Sequence, residues 1–215
     1  NVFYEGYFAD HNVEPWYLAD VAYIPFTVLP TPTDLKAFIF VSIALLLMCF
    51  FWLIKPLKLP KLTVALLFAL LMLGDGIFLR RLVIGRPFIL MTCLLLIVLK
   101  ALLERRYLLL AITVMLSVLL SHLFFFILFA SAVGALWLWS VDGKQSAILA
   151  MTSALAGLVV GIVAHPQSIE YLVYLFTVFL RIPFLKSITL GTEMYTGLMF
   201  TSSVIPVIGF LIGFV

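Results

Sequence analysis

The chain has 215 residues, of which 65% are hydrophobic and 11% are charged, and its mean hydropathy is +1.27. A soluble domain would need far more polar surface, so this composition predicts an all-α, polytopic transmembrane helical bundle. The net charge of +3 is ordinary for a membrane protein with basic loops and does not indicate nucleic-acid binding. Because the sequence opens on Asn1 and closes inside an apolar run, we expect a fragment truncated at both ends.

Residues 1–36 are rich in Pro, Asp and Tyr and are predicted to be the end of a first external loop, with residues 37–215 forming the transmembrane domain. A span needs roughly 17 to 25 apolar residues. This predicts about seven helices, at 37–54, 62–79, 87–103, 107–120, 123–140, 146–164 and 196–215. Helix 107–120 would be short for a bilayer, at about 21 Å. Residues 169–185 carry Glu170, Arg181 and Pro183 and are expected to span, or to form an external interfacial or re-entrant helix.

Basic residues in short loops predict which ends of the helices face the cytoplasm. If helix 107–120 crosses, one side holds most of the loop cations, namely Lys55, Lys58, Lys61, Lys100, Arg105, Arg106 and Lys144. The opposite, external side then receives residues 1–36, the turn FLRRLVIGRPF at 78–88, the Ser121-His122 break and the HPQS turn at 165–168. All three histidines, His11, His122 and His165, are expected on this side.

The turn FLRRLVIGRPF places Arg80, Arg81 and Arg86 on the face where few basic residues are expected. One interpretation is that these arginines reach lipid headgroups or pair with acids of the first loop. The other is that they bind an anion, and a phosphate fits because the guanidinium fork matches phosphate oxygens. Both interpretations remain open from the residues alone.

Acidic residues are the candidates for a general base or for metal ligands at this face. The first loop contains Glu5, Asp10, Glu14, Asp20 and Asp34, which are either solvated or available as a general base or metal ligands. Asp75 lies near the end of a predicted span and is expected to pair with Arg80 or Arg81, while Glu193 lies in a Gly-flanked turn. Cys49 and Cys93 both lie within apolar runs, which predicts core residues rather than a disulfide or a metal pair.

Several short motifs, in order, resemble polytopic glycosyltransferases of the GT-C fold. The stretch EPWYLADVAYIPF at 14–26 is similar to the end of their first external loop, and FLRRLVIGRPF to an R-x-x-x-x-R-P turn. The short helix ending at Ser121-His122 is similar to an incomplete helix of the family. GIVAHPQSIEYL resembles a His-Pro or Asn-Pro turn before an external helix, and LGTEMYTG a G-x-E-W-Y-P segment.

This resemblance implies an integral protein of the bacterial inner membrane, with its active face periplasmic or external. It implies a polyprenyl-phosphate-linked sugar as donor and an acid of the first loop as base, sometimes with a divalent metal, Mg²⁺ or Mn²⁺. It assigns catalysis to Asp10, Glu14 and Asp20, and donor-phosphate binding to Arg80, Arg81 and Arg86. His122, His165 and Glu193 would line the pocket. The chain departs from the family in two ways. The first span, which the family's usual catalytic acid follows closely, is missing, so the base is either Asp10 or a residue upstream of Asn1. Asp20 also stands where many relatives have His, which puts a metal role for that position in doubt.

Two other functions remain open from the sequence. A transporter or lipid flippase would use the same arginines to guide a phosphate headgroup without chemistry, although no convincing internal repeat is visible. A structural subunit of a larger membrane complex, with partner chains in the bilayer, would need no catalytic motif. The sequence contains no Walker loop, G-x-G-x-x-G, H-E-x-x-H or G-x-S-x-G motif.

Overall fold

The computed structural model describes residues 16–73 and 88–177, with side chains described for 16–70 and 88–177. All regular elements in these ranges are helical. The α-helices are α1 (Tyr17–Tyr23), α2 (Thr33–Ile54), α3 (Lys61–Leu73), α4 (Phe88–Leu103), α5 (Tyr107–Leu120), α6 (Phe125–Asp142), α7 (Lys144–Ala164) and α8 (Ser168–Phe176). Short 3₁₀ turns follow α1, α2 and α5 at Ile24–Phe26, Lys55–Leu57 and His122–Phe124.

Three stretches are long and apolar enough to cross a membrane, namely Thr33–Leu57, His122–Asp142 and Lys144–Ala164. Three shorter apolar helices, Lys61–Leu70, Phe88–Leu103 and Tyr107–Leu120, accompany them. The all-α prediction is therefore confirmed for the described residues, together with helices of membrane-spanning length. The predicted number of about seven spans stays a prediction, because the span at 196–215 lies outside the described residues.

The helix ends fall into two groups that lie at opposite ends of the bundle. At one end, Arg105 in the α4–α5 turn binds Asp142 at the end of α6, with Nε 2.7 Å from Oδ2. The loop from Lys55 to Lys61 belongs to the same end, because Trp52 near the end of α2 packs on Lys100 near the end of α4, with the ammonium 5.5 Å from the ring centroid. We call this end the basic face. The other end contains α1, His122 and His165, and we call it the histidine face.

The segment at 16–36 is more ordered than the predicted loop. α1 packs against α5, and the 3₁₀ turn after α1 brings Phe26 onto Phe38 of α2, with ring centroids 5.5 Å apart. The Tyr23 hydroxyl donates a 2.6 Å hydrogen bond to Asp34 in the first turn of α2, and this bond raises the pKa of Tyr23. Helix α2 begins at Thr33 rather than 37 because Pro32 precedes it and the acid Asp34 favours a helix N-terminus.

Small residues allow α5 and α7 to pack closely in parallel. The buried positions of α7 include Ala150, Ala154, Gly157 and Gly161, which recur every three or four residues, and the two glycines lie against α5. A Cβ atom on Gly157 would lie 2.2 Å from the backbone oxygen of Ala111, and one on Gly161 would lie 2.8 Å from Val118 Cβ. Close backbone approach therefore requires glycine at both positions.

We predict that Gly157→Val destabilises the protein by about 2 kcal/mol or more, because the added side chain overlaps the α5 backbone. Thermal unfolding in detergent should show a midpoint roughly 5 °C lower. Ala156→Val is the matched control, since Ala156 is the neighbouring exposed residue on α7 and its substitution adds the same side-chain type without a helix contact. Equal midpoints for the two variants would contradict the close α5–α7 contact.

Candidate functional site

The histidine face is organised by two sharp helix ends. α5 ends at Leu120 because Ser121 is extended, at φ −167° and ψ 147°, and its Oγ accepts a 3.1 Å hydrogen bond from the Leu123 N–H. α7 ends before His165, whose extended backbone is the conformation that a following proline favours. Each break leaves a histidine at the end of a helix. The parallel packing of α5 and α7 places these two ends at the same face of the bundle.

Four aromatic rings link these two histidines into one cluster. His122 lies edge-on to Trp16 at 5.0 Å and to Tyr174 at 6.0 Å between ring centroids. His165 stacks on Tyr171 at 4.2 Å with the ring planes 7° apart, and lies edge-on to Tyr17 at 5.8 Å. Tyr171 and Tyr174 are 6.2 Å apart and nearly parallel, which completes the series. We call these rings the aromatic cluster, namely Trp16, Tyr17, His122, His165, Tyr171 and Tyr174.

Helix α8 contributes two of the rings of the aromatic cluster. Tyr171 and Tyr174 are both buried, and they lie three residues apart, on one side of the helix. The Tyr171 hydroxyl donates a 3.0 Å hydrogen bond to the Val118 carbonyl near the end of α5, and burial raises the pKa of this phenol. The opposite side of α8 exposes Ile169 and Phe176. Whether residues 169–185 span the membrane or lie at its surface stays a prediction, and residues 178–185 lie outside the described residues.

The two histidines have different hydrogen-bonding environments. His165 Nδ1 accepts a 3.2 Å hydrogen bond from the Gln167 N–H, so the neutral ring carries its proton on Nε2. His122 Nδ1 is shielded from solvent and has no hydrogen-bond partner among the described residues. A buried polar atom without a partner costs free energy, and such atoms in folded proteins call for a specific explanation. His122 Nδ1 is therefore the buried side-chain atom of the aromatic cluster that lacks a partner among the described residues.

Asp20 is the third predicted site residue that the structure describes. It lies on α1, four residues from Trp16, with its backbone N–H 3.0 Å from the Trp16 carbonyl oxygen. Its side chain reaches the surface, yet surrounding protein atoms exclude part of its hydration and raise the pKa of the carboxyl. Within residues 16–70 and 88–177 its carboxylate forms no ion pair. Asp20 thus shares a helix with the aromatic cluster without touching either histidine.

The remaining predicted site residues lie outside the described residues: Asp10, Glu14, Arg80, Arg81, Arg86 and Glu193. Their predicted roles stay predictions. In the described ranges, no group of three or more His, Cys, Asp or Glu residues is arranged to bind a metal. Asp34, a further acid of the first loop, is bound to the Tyr23 hydroxyl and to the Leu35 N–H, which gives it a structural role at the start of α2.

Sequence reasoning missed the aromatic partners of the histidines. Trp16, Tyr17 and Tyr171 lie within the motifs that resemble the GT-C fold, and Tyr174 follows shortly after. The three-residue spacing of Tyr171 and Tyr174 indicates one helical face. Their convergence depends on α1 and α8 both packing on the end of α5. Because that contact joins segments about 150 residues apart in the chain, no local sequence pattern indicates it.

We predict that His122→Phe raises the thermal unfolding midpoint by a few degrees. Phenylalanine keeps a ring against Trp16 and Tyr174 and removes the unpaired Nδ1 atom, which gains about 1 kcal/mol. His165→Phe is the comparison variant, and it should lower the midpoint because it removes the acceptor of the Gln167 N–H. A lower midpoint for His122→Phe would show that Nδ1 is satisfied in the folded protein.

Comparisons with known proteins found no match to this chain, whether among protein-family models, curated proteins or solved structures.

Proposed function

We propose that the chain is part of an integral membrane glycosyltransferase that takes a sugar from a polyprenyl-phosphate donor at the histidine face. One observation carries the proposal. The aromatic cluster gathers the Trp16-Tyr17 pair, the Ser121-His122 break and the His165-Pro166 turn, which are three of the motifs that resemble the GT-C fold. These motifs are distant in sequence and meet at one end of the bundle, as residues of one site would.

The chemistry of the proposed transfer assigns a role to each group. Asp10 acts as general base and removes the proton from the acceptor hydroxyl, and Glu14 and Asp20 contact the acceptor or a metal. The acceptor oxygen bonds to the anomeric carbon while the glycosyl–phosphate bond breaks, and the polyprenyl phosphate leaves with the bonding electrons. Negative charge then grows on the phosphate. Its stabilisation is the role of the arginines at the FLRRLVIGRPF turn.

The histidines serve substrate binding in this scheme, together with Glu193. His122, His165 and Glu193 would line the pocket, and Nδ1 of His122 is a buried acceptor that has no partner among the described residues. Trp16 and Tyr17 are the partly exposed rings of the aromatic cluster, and they would contact the C–H face of a sugar, whereas Tyr171 and Tyr174 are buried. The raised pKa of Asp20 makes its carboxylate a better proton acceptor than an ordinary aspartate.

A divalent cation, Mg²⁺ or Mn²⁺, would be held by oxygen ligands. Asp20 is a suitable ligand because its carboxylate binds no basic residue in the described ranges. Further ligands would have to come from Asp10 and Glu14, which precede the described residues. The cation would neutralise charge on the donor phosphate, and the proposal assigns it no further step.

We predict that Arg86→Ala lowers the rate of sugar transfer by about 100-fold, because one donor to the developing charge is removed. The assay follows release of polyprenyl phosphate from polyprenyl-phosphate-linked mannose and glucose by the full-length protein in its native membranes, which supply the acceptor. Arg106→Ala is the matched control, since Arg106 lies on the basic face and binds Glu104, and it should leave the rate unchanged. Full activity of Arg86→Ala, with an unchanged unfolding midpoint, would contradict the phosphate-binding role.

A further inference from the structure

The basic face contains a groove that the proposed transfer does not use. It lies between the end of α2, the Lys55–Leu57 turn and the first half of α3, and it has a volume of about 830 Å³. Its walls are mainly apolar and aromatic, with Phe51 and Trp52 on α2 and Val64 and Phe68 on α3. α3 contacts α2 through Phe68, whose ring lies 5.4 Å from that of Phe50. Ala65 and Ala69 leave space beside this contact, and the groove occupies that space.

Three lysines stand at the mouth of the groove. Lys55, Lys58 and Lys61 all line it and all are exposed. None of them contacts a carboxylate in the described part of the chain. The acids described on the basic face are already bound, since Glu104 pairs with Lys100 and Arg106, and Asp142 pairs with Arg105. The groove therefore joins an apolar interior to a cluster of uncompensated positive charge.

Lys61 lies at a position where a bound anion would be stabilising. It is the first residue of α3, where the positive end of the helix dipole makes a cation unfavourable. The helical hydrogen bonds of α3 begin with the one that the Val64 N–H donates to the Pro60 carbonyl, at 3.1 Å. The N–H groups before Val64 in this first turn therefore have no acceptor within the helix. A bound phosphate would offset the charge of the lysines and accept hydrogen bonds from these N–H groups.

We propose that this groove binds an anionic glycerophospholipid, with its phosphate at Lys55, Lys58 and Lys61 and an acyl chain along the apolar walls. The lipid leaflet that faces the cytoplasm is rich in anionic lipids, and basic residues next to a span attract them. Trp52 lies at the same level as the lysines, which is the headgroup level that tryptophan prefers in membrane proteins. Polar and apolar parts of the groove thus match the two parts of one lipid molecule.

The test is native mass spectrometry of the full-length protein in detergent, with phosphatidylglycerol and phosphatidylcholine of identical acyl chains as probes. The wild type should retain phosphatidylglycerol in preference. Lys55→Gln/Lys58→Gln/Lys61→Gln should bind it about 100-fold more weakly, and Lys58→Gln alone about fivefold more weakly. The triple Lys→Arg variant should keep the preference. Lys144→Gln is the control on the same face, because Lys144 is exposed, unpaired in the described ranges and outside the groove, and it should change nothing.

A second pair of variants distinguishes lipid binding in the groove from non-specific attraction of anionic lipid to a basic surface. Ala65→Phe fills the groove without changing charge, and should weaken retention of both lipids. Leu66→Phe adds the same ring on the neighbouring exposed position, which does not line the groove, and should leave retention unchanged. The proposal is overturned if Ala65→Phe retains phosphatidylglycerol normally, or if Lys144→Gln weakens its binding as much as Lys58→Gln does.

Discussion

The close parallel contact between α5 and α7 is the constraint on which the described architecture depends. Gly157 and Gly161 bring α7 against the backbone of α5 at Ala111 and Met115, closer than any side chain would allow. In a membrane, helices gain little from burying apolar surface against each other, so van der Waals packing of this kind supplies much of their association. The contact fixes the relative height of the two helices. His122 and His165 reach the same face because their helices are held in this register.

Charge and aromatic residues are divided between the two ends of the bundle. The basic face has its acids bound in ion pairs, as in the 2.6 Å contact between Lys100 and Glu104, which accompanies a lowered pKa of Glu104. The histidine face instead collects aromatic rings, and His122 Nδ1 has no hydrogen-bond partner among the described residues. Stability alone would favour an apolar ring at that position. The proposed chemistry is placed at this face because three of the motifs that resemble the GT-C fold meet there.

Much of the helical framework could be predicted from the sequence. The predicted helix at 107–120 has the bounds that the structure gives α5, and the start of α4 differs by one residue, because Pro, Gly and charged residues interrupt otherwise continuous apolar runs. α1 was predicted as loop, since seven residues containing Asp20 are too few to show a helical period. The Gly157/Gly161 spacing was present in the sequence, but the identity of its partner helix depends on tertiary packing.

The candidate site was predicted in part. The breaks at Ser121 and Pro166 indicated that two histidines end helices on one side, and the ring contacts of the histidine face agree with this. The six rings of the aromatic cluster could not be predicted, because α1, α5 and α8 are brought together only by the fold. The lysines of the basic face predict from the sequence which helix ends face the cytoplasm. The groove beside them could not be predicted, because it depends on the angle between α2 and α3.

The central claim, that the histidine face performs sugar transfer, is tested most directly in vesicles of known protein orientation. Polyprenyl-phosphate-linked mannose or glucose, labelled in the sugar, would be supplied to one leaflet at a time, and cleavage of the glycosyl–phosphate bond measured separately from movement of intact donor. We expect cleavage when the donor is in the leaflet next to His122 and His165, and none from the leaflet at the basic face. Movement of intact donor between leaflets without cleavage would contradict the account and identify a transporter.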